Sequence, residues 1–152
     1  MSNIQKVLLT GKTHTIAVDG RVTAGDHEGK LNIELSAPGN PAAQRHTFAA
    51  IAPHPTAEQL FAGAWSSCFL VTAGIVAKEK NIQLPADTAV EVEVDLGLGG
   101  AGEYYIQGRV NLIVPGLDRA LATTLAHAAD AMCPYSKSTR GNIDVTLSIT
   151  TA

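Results

Sequence analysis

The chain has 152 residues, of which 45% are hydrophobic and 16% charged, and its formal net charge is −3. This composition is typical of a water-soluble globular protein, and the length fits a single domain over residues 1–152. Because no basic stripe is available to neutralise phosphates, the sequence argues against nucleic-acid binding.

The sequence also argues against export and against a membrane partner. The first residues carry only a very short apolar patch, so no secretory signal is expected. Residues 60–77 form an uncharged stretch of 18 residues, which is the lower limit for a membrane span. Its many small and hydroxylated residues make it less apolar than a typical span. We therefore expect a helix buried within protein and a cytoplasmic location.

The first third of the chain has the pattern of β structure. The runs KVLLT (6–10) and HTIAV (14–18) are short and β-rich, and KLNIELS (30–36) alternates apolar with polar residues. A Gly- and Asp-rich loop that carries Arg21 lies among these runs. Residues 37–55 contain four prolines and are predicted to form an irregular connection.

Residues 56–81 have the pattern of a helix. Thr56 is a candidate N-cap, Glu58 lies in the first turn and Lys78 lies in the last turn. Apolar residues recur at helical spacing on both sides of Cys68.

The second half of the chain begins with a predicted β-hairpin. TAVEVEVDLGL (88–98) alternates strictly between apolar and acidic residues, and YYIQGRVNLIVP (104–115) is its expected partner strand. The glycine-rich segment GGAGE (99–103) separates the two and is predicted to form the turn.

A second helix is predicted for residues 117–133. Because Pro134 disfavours helical geometry in the residue before it, Cys133 is expected at or just past the end of this helix. The segment GNIDVTLSIT (141–150) is predicted to form the last strand. About six strands and two substantial helices indicate an α+β fold.

The only two cysteines are Cys68 and Cys133. A cysteine among apolar residues is most often a packing residue, so position alone does not make Cys68 a nucleophile. A nucleophilic thiol must ionise, and since burial raises the pKa of a thiol, a cation has to oppose that effect. The spacing of the sequence does not choose among the available arginines, which are Arg21, Arg45, Arg109, Arg119 and Arg140.

The segments AEQLFAGAWSSCFL (57–70) and CPYSKSTRGNIDV (133–145) resemble the organic hydroperoxide resistance proteins of the OsmC/Ohr superfamily. The upstream segments DGR (19–21) and DHEGKLNIELS (26–36) are similar to that family as well, so the resemblance covers nearly the whole chain. It implies an OsmC/Ohr-like α+β fold with about six strands in antiparallel sheets packed around two long central helices, in an intertwined homodimer.

The resemblance also implies roles for particular residues. Cys68 matches the peroxidatic cysteine and Cys133 the resolving cysteine. Arg21 matches the arginine that holds the thiolate, and Glu58 matches the carboxylate that pairs with this arginine. The implied activity is a thiol peroxidase that reduces alkyl and fatty-acid hydroperoxides and is recycled by a dithiol such as protein-bound dihydrolipoamide. No metal or bound organic cofactor is implied.

Two further expectations concern the surroundings of Cys68. Glu58 precedes Cys68 by ten residues, or about 15 Å along a straight helix, so we expect the site to be shared between two copies at an isologous interface. The alkyl tail of the substrate is predicted to lie in an apolar slot, formed by Ile51, Leu60, Phe61, Trp65 and Phe69.

Three alternatives remain open. The first is a Cys–His hydrolase that uses Cys68 with His54 or His127. The second is a non-catalytic lipid-binding module with the same apolar slot, and the third is a peroxidase of the osmotically inducible branch of the superfamily. A zinc site is not expected, because the five histidines lack metal-binding spacing.

Overall fold

The structure is a computed structural model that describes residues 4–17, 31–37, 40–48 and 56–152. The described strands are β1 (Lys6–Ala17), β2 (Leu31–Ala37), β3 (Asn40–Phe48), β4 (Ala89–Leu98), β5 (Tyr104–Ile113) and β6 (Val145–Thr150). They form one sheet in the order β2-β3-β1-β4-β5-β6. The described helices are α1 (Ala57–Glu79), α2 (Arg119–Met132) and α3 (Pro134–Thr139). The predicted α+β class is confirmed.

The two faces of the sheet differ in polarity, and β4 shows why. Val90, Val92 and Val94 alternate along this strand and are buried, while Glu91 and Glu93 point to the opposite side, as strand geometry requires. The valines pack with residues of α1 in one hydrophobic cluster. We call the valine side of the sheet the inner face and the glutamate side the outer face.

The outer face carries a network of charged side chains. Arg109 of β5 donates two hydrogen bonds to Asp95, at 2.6 and 2.9 Å, and a third to Glu93 at 2.6 Å. The ammonium group of Lys12 lies 3.2 Å from Glu93. The Arg109 guanidinium holds the pKa of Asp95 well below its usual range. Each carboxylate is thus compensated by a cation on a neighbouring strand.

Both ends of α1 have well-formed caps. The hydroxyl of Thr56 accepts from the amide of Gln59, and the side chain of Gln59 accepts from the amide of Thr56, which completes a capping box. At the other end Asn81 has a φ of 53°, and the amide of Ile82 bonds to the carbonyl of Ala77, as in a Schellman motif. The prediction that Thr56 is the N-cap is confirmed.

By length and composition α1 could cross a membrane, but 56% of its apolar window is buried inside the protein. Trp65, Phe69 and Ala73 are fully buried and belong to the main hydrophobic cluster. This burial is what the sequence predicts for residues 60–77, namely a helix that packs within protein.

The chain bends sharply at Cys133, between α2 and α3. Cys133 has a ψ of 122°, because Pro134 disfavours helical geometry in the preceding residue. Pro134 then occupies the start of α3, where its missing N–H costs no hydrogen bond. The predicted position of Cys133 at the end of the second helix is confirmed, but α3 is an element that the sequence did not predict.

The structure corrects three further predictions. Residues 40–48 form β3 instead of an irregular connection, because they pair with both β1 and β2. The run 6–10 and the described part of the next run, 14–17, belong to one continuous strand, β1, instead of two. The sheet is mixed, because β5 and β6 pair in parallel across a crossover that contains α2 and α3.

Candidate active site

Cys68 and Cys133 lie side by side. The thiol of Cys133 donates to the sulfur of Cys68, and the two sulfurs are 3.3 Å apart. Both are free thiols; Cys68 is partly exposed and Cys133 is fully buried. Because the S–S bond of a disulfide is about 2.05 Å long, the sulfurs would need to approach by only about 1.2 Å to form one.

Burial raises the pKa of the Cys68 thiol to about 11. The backbone N–H of Tyr135 donates to this sulfur and lowers the pKa, while the adjacent Cys133 raises it again. A thiol with such a pKa is protonated at neutral pH and is a weak nucleophile. Within the described ranges no cation contributes to this pKa.

Of the arginine and the carboxylate assigned by resemblance, only the carboxylate, Glu58, lies within the described residues. Arg21 lies in residues 18–30, outside the described residues, so its position relative to Cys68 stays a prediction. Glu58 lies in the first turn of α1. Because α1 is continuous from Glu58 to Cys68, the two are separated by about 15 Å of helix rise.

The four other arginines have their own surroundings. Arg109 is engaged on the outer face, Arg119 donates to a backbone carbonyl of β6 at 2.7 Å, and Arg140 forms an ion pair with Asp130 at 2.7 Å. The Nε atom of Arg45 is buried and makes no hydrogen bond to the part of the chain that the structure describes.

The residues predicted to form the apolar slot differ in exposure. Leu60 is 53% exposed, while Phe61 is partly buried and contacts Trp65 in a tilted arrangement, with ring centroids 5.8 Å apart. Trp65 and Phe69 are fully buried. Ile51 lies outside the described residues. The side chains open to a ligand in the described part of the slot are therefore Leu60 and Phe61.

Trp65 links α1 to two other elements. Its indole N–H donates to the hydroxyl of Ser136 in α3 at 3.2 Å. On the sheet side the ring lies against Gly108, where an added Cβ would come within 2.9 Å of a ring atom. A glycine at this position of β5 thus leaves the space that the indole fills. The sequence did not predict the Trp65–Ser136 hydrogen bond, because the two residues are 71 positions apart.

Gln44 of β3 links the sheet to the turn of α1 that holds Cys68. The hydroxyl of Ser67 donates to the amide oxygen of Gln44, and the amide nitrogen of Gln44 donates to the carbonyl of Ser67 at 3.4 Å. His46, two residues further along β3, is fully buried, and burial lowers its pKa to about 4. In the sequence, Gln44 and His46 are polar residues at alternate positions, a spacing that places both on one face of a strand. The segment was predicted to be irregular, so this pattern was not used.

The described histidines do not form a catalytic or metal-binding cluster. His14 contacts Glu91 at 3.1 Å on the outer face, and His127 is exposed on α2. His27 and His54 lie outside the described residues. Among the residues that the structure describes, no group of three or more histidine, cysteine, aspartate or glutamate side chains is arranged to hold a metal ion.

Comparison with known proteins identifies the family. Residues 46–148 match the family model of OsmC-like proteins. The organic hydroperoxide resistance protein of Xanthomonas axonopodis pv. citri is 36% identical over 150 residues, which cover 98% of this chain and 99% of that protein.

Solved structures agree with this assignment. The organic hydroperoxide resistance protein OhrB of Bacillus subtilis superposes with a TM-score of 0.61 at 31% identity, over 80% of this chain and 97% of that one. The organic hydroperoxide resistance protein from Elizabethkingia anophelis also gives a TM-score of 0.61 at 31% identity, over 66% of this chain and 71% of that one. A mixed sheet with two neighbouring thiols beneath it, and a match over most of the sequence, lead to one conclusion: the chain belongs to the family of OsmC-like proteins.

Proposed function

We propose that this protein is a cysteine-based peroxidase that reduces organic hydroperoxides, both alkyl and fatty-acid, to alcohols in the cytoplasm. The observation that carries the proposal is the 3.3 Å separation of two free thiols, Cys68 and Cys133, on an apolar helix and at the start of a short one. The printed names of the relatives, which are organic hydroperoxide resistance proteins, support the substrate class.

The first chemical step takes place at Cys68. Its thiolate attacks the terminal oxygen of the peroxide, so that an S–O bond forms and the O–O bond breaks. The alkoxide takes up a proton, equivalent to the one that the thiol released, and leaves as the alcohol, and Cys68 becomes a sulfenic acid. The sulfur has been oxidised and the peroxide reduced by two electrons. The partial exposure of Cys68 fits a sulfur that a substrate can reach.

The second step uses Cys133. Its sulfur attacks the sulfenic sulfur of Cys68, the S–S bond forms and water leaves, which protects Cys68 from irreversible oxidation. A dithiol then restores both thiols by exchange through a mixed disulfide. A lipoylated protein is the reductant that we propose. The full burial of Cys133 keeps it away from peroxide and leaves the partly exposed Cys68 as the first sulfur to react.

Ionisation of Cys68 requires a cation. Burial raises its pKa to about 11, and a guanidinium beside a thiolate lowers a thiol pKa by favouring the charged form. We assign this role to Arg21, held in turn by Glu58. Glu58 is about 15 Å of helix rise from Cys68 of its own chain. The Glu58 carboxylate that pairs with this arginine would therefore come from a second copy of the chain.

A homodimer is supported by the exposed side of α1. Leu60 and Ile75 are 53% and 47% exposed and lie fifteen positions apart, on one side of the helix by its 3.6-residue period. Cys68 is two turns before Ile75 and borders the same stripe. A second copy that covers this stripe would bury it and place the active sites at the subunit interface.

The apolar side chains near Cys68 explain a preference for organic peroxides. The alkyl tail would pack on Leu60 and Phe61, with Trp65 and Phe69 as the buried layer beneath them and Ile51 from the preceding segment. Each buried methylene of the tail contributes about 0.8 kcal/mol. Hydrogen peroxide has no tail and gains nothing from this surface.

The decisive experiment is rapid-quench oxidation of the reduced protein by tert-butyl hydroperoxide and, separately, by hydrogen peroxide. Wild type should lose two thiols per peroxide and form an internal disulfide, faster with the organic substrate. Cys68→Ser should be inert. Cys133→Ser should react once and then proceed to the sulfinic acid.

Three outcomes would contradict the proposal or a part of it. Catalysis by a fully reduced protein in which Cys133→Ser has no effect would favour the Cys–His hydrolase. Fatty-acid binding that is unchanged in Cys68→Ser, without any thiol oxidation, would favour the non-catalytic lipid-binding module. Equal rates with both peroxides would remove the role of the apolar slot and leave the osmotically inducible branch as the alternative.

A further inference from the structure

Two residue pairs link α1 to the segment that begins at Cys133. Trp65 precedes Cys68 by three positions on α1, and Ser136 follows Cys133 by three positions in α3, so each cysteine has one of these residues about one helical turn away. The sulfurs of the cysteines are 3.3 Å apart, and the indole nitrogen of Trp65 is 3.2 Å from the hydroxyl of Ser136. α1 and the segment that begins at Cys133 therefore contact each other at two places, through the two sulfurs and through the Trp65–Ser136 hydrogen bond.

The Trp65–Ser136 hydrogen bond is well protected. Trp65 is 0% exposed and Ser136 is 3% exposed, so neither group can exchange its partner for bulk water. Loss of a buried hydrogen bond leaves the remaining polar group unsatisfied and costs more than the bond contributes. Gly108 restrains the ring from the sheet side, since the indole occupies the volume that a Cβ would need.

α3 depends on such contacts because it has little stability of its own. It is six residues long and has no side-chain hydrogen bond at its N-terminus, and an isolated helix of this length is not stable in water. The ion pair between Arg140 and Asp130 at its far end is on the surface, with side chains 52% and 29% exposed, and surface pairs contribute little.

We propose that the Trp65–Ser136 hydrogen bond is a positioning contact that sets the effective concentration of the Cys133 thiol at Cys68. It fixes the register of α3 on α1, and this register keeps Cys133 within reach of the sulfur that it must attack. The bond acts mainly on formation of the disulfide and only weakly on the first reaction with peroxide, through the Tyr135 N–H that α3 holds against Cys68. The kinetic part of this inference depends on the proposed peroxidase function.

The first test does not need peroxide. Reduced protein is equilibrated with mixtures of reduced and oxidised glutathione, in which the glutathione disulfide supplies the oxidising equivalents, and the fraction with a Cys68–Cys133 disulfide is measured by mass spectrometry. Ser136→Ala should lower the effective concentration of the two thiols about five- to tenfold. Ser138→Ala is the matched control, because this exposed serine of the same helix bonds to a local carbonyl, that of Tyr135.

A second variant separates the hydrogen bond from the packing of the ring. Trp65→Phe keeps an aromatic ring but removes the donor, and it should lower the effective concentration as well. Because Trp65→Phe and Ser136→Ala remove the same bond, the double variant should lose less than the sum of the single losses. Fully additive losses would overturn the proposal.

The kinetic test uses an excess of tert-butyl hydroperoxide, because the sulfinic acid requires a second peroxide per protein, and the product ratio at Cys68 is measured. Ser136→Ala should form less disulfide and more sulfinic acid than Ser138→Ala, while the rate of the first oxidation changes much less than this ratio. An unchanged glutathione equilibrium and product ratio in Ser136→Ala would overturn the positioning role alone. A wild-type protein that does not react with the hydroperoxide would instead overturn the proposed function, and the glutathione test would still decide the inference.

Discussion

Asp95 on the outer face of the sheet and Cys68 beneath its inner face are both largely removed from water, but their pKa values move in different ways. The carboxylate of Asp95 is 3% exposed and accepts two hydrogen bonds from Arg109, which keep its pKa well below the usual range. The pKa of Cys68 rises to about 11 because burial dominates.

The opposite pKa shifts of Asp95 and Cys68 reflect different roles of the outer and inner faces. On the outer face, neighbouring strands supply the countercharge, so the ionised form is stable and contributes to the fold. On the inner face, the thiol is surrounded by apolar side chains and another thiol, and the described residues oppose the effect of burial only with uncharged groups, the N–H of Tyr135 and the hydroxyl of Thr72. A countercharge brought by a separate segment would therefore control reactivity there.

The strongest test of this comparison is Arg21→Ala in a Cys133→Ser background. If Arg21 supplies the missing cation, its removal should let the pKa of Cys68 rise toward about 11. The rate of alkylation by iodoacetamide at pH 7 should then fall about a hundred- to a thousandfold. The rate should recover only at high pH, because a raised pKa delays ionisation.

Arg119→Ala is the matched control, since this arginine bonds to the backbone of β6. In the Cys133→Ser background, an Arg21→Ala variant with the pH–rate profile of the Cys133→Ser parent would show that the thiolate is stabilised by another group.

Arg109→Met should have the largest effect on the outer face. It leaves the buried carboxylate of Asp95 without its cation, so the free energy of unfolding should fall by about 2–3 kcal/mol at pH 7. Because the pKa of Asp95 is lowered in the folded protein, this contribution is present above the ordinary aspartate pKa of about 3.9 and is lost as the pH falls below it.

Urea unfolding of Arg109→Met and of a double variant with Asp95→Asn decides this point. The double variant should regain part of the stability, since an amide does not need a countercharge. A double variant that is no more stable than Arg109→Met would contradict the electrostatic explanation.

The burial of His46 predicts a pH dependence of the free energy of unfolding. Its pKa is about 4 in the folded protein and about 6.5 in an unfolded chain, so unfolding takes up a proton between these values. The free energy of unfolding should therefore fall by about 2 kcal/mol from pH 7 to pH 5. His46→Gln should reduce this decrease in urea titrations, and the exposed His127→Gln should not. Parallel curves for wild type and His46→Gln would rule out His46 as the source.

The smallest effect is expected from Gly108→Ala. The added Cβ would lie 2.9 Å from the Trp65 ring, so the indole has to shift, and overpacking of this kind costs about 1–2 kcal/mol. The shift should also weaken the bond to Ser136. Thermal unfolding measures the first effect, and the glutathione equilibrium measures the second. A stability equal to that of wild type would show that the ring has room to move.

The sequence predicted those features that depend on neighbours along the chain. Thr56 begins α1 because its hydroxyl accepts a local amide, and Pro134 ends α2 through its steric effect on Cys133. The alternation of valine and glutamate in residues 88–98 was sufficient to predict β4. In each case the physical cause lies within a few positions of the residue concerned.

The features that escaped prediction depend on distant partners. Residues 40–48 become a strand only because β1 and β2 flank them, although Pro41 favours a loop when considered alone. The contact of Trp65 with Ser136 joins positions 71 apart. Resemblance to known proteins drew attention to Cys68 and Cys133, but their sulfur separation is a property of the folded chain.

The chain contains a single tryptophan, and it is the buried Trp65, one helical turn from Cys68. The intrinsic ultraviolet emission of the protein therefore arises mainly from one indole beside the two thiols. Sulfur atoms quench such emission on contact, and a change in their bonding would alter its intensity. The protein thus carries a built-in optical reporter of the state of its thiols, which needs no added label.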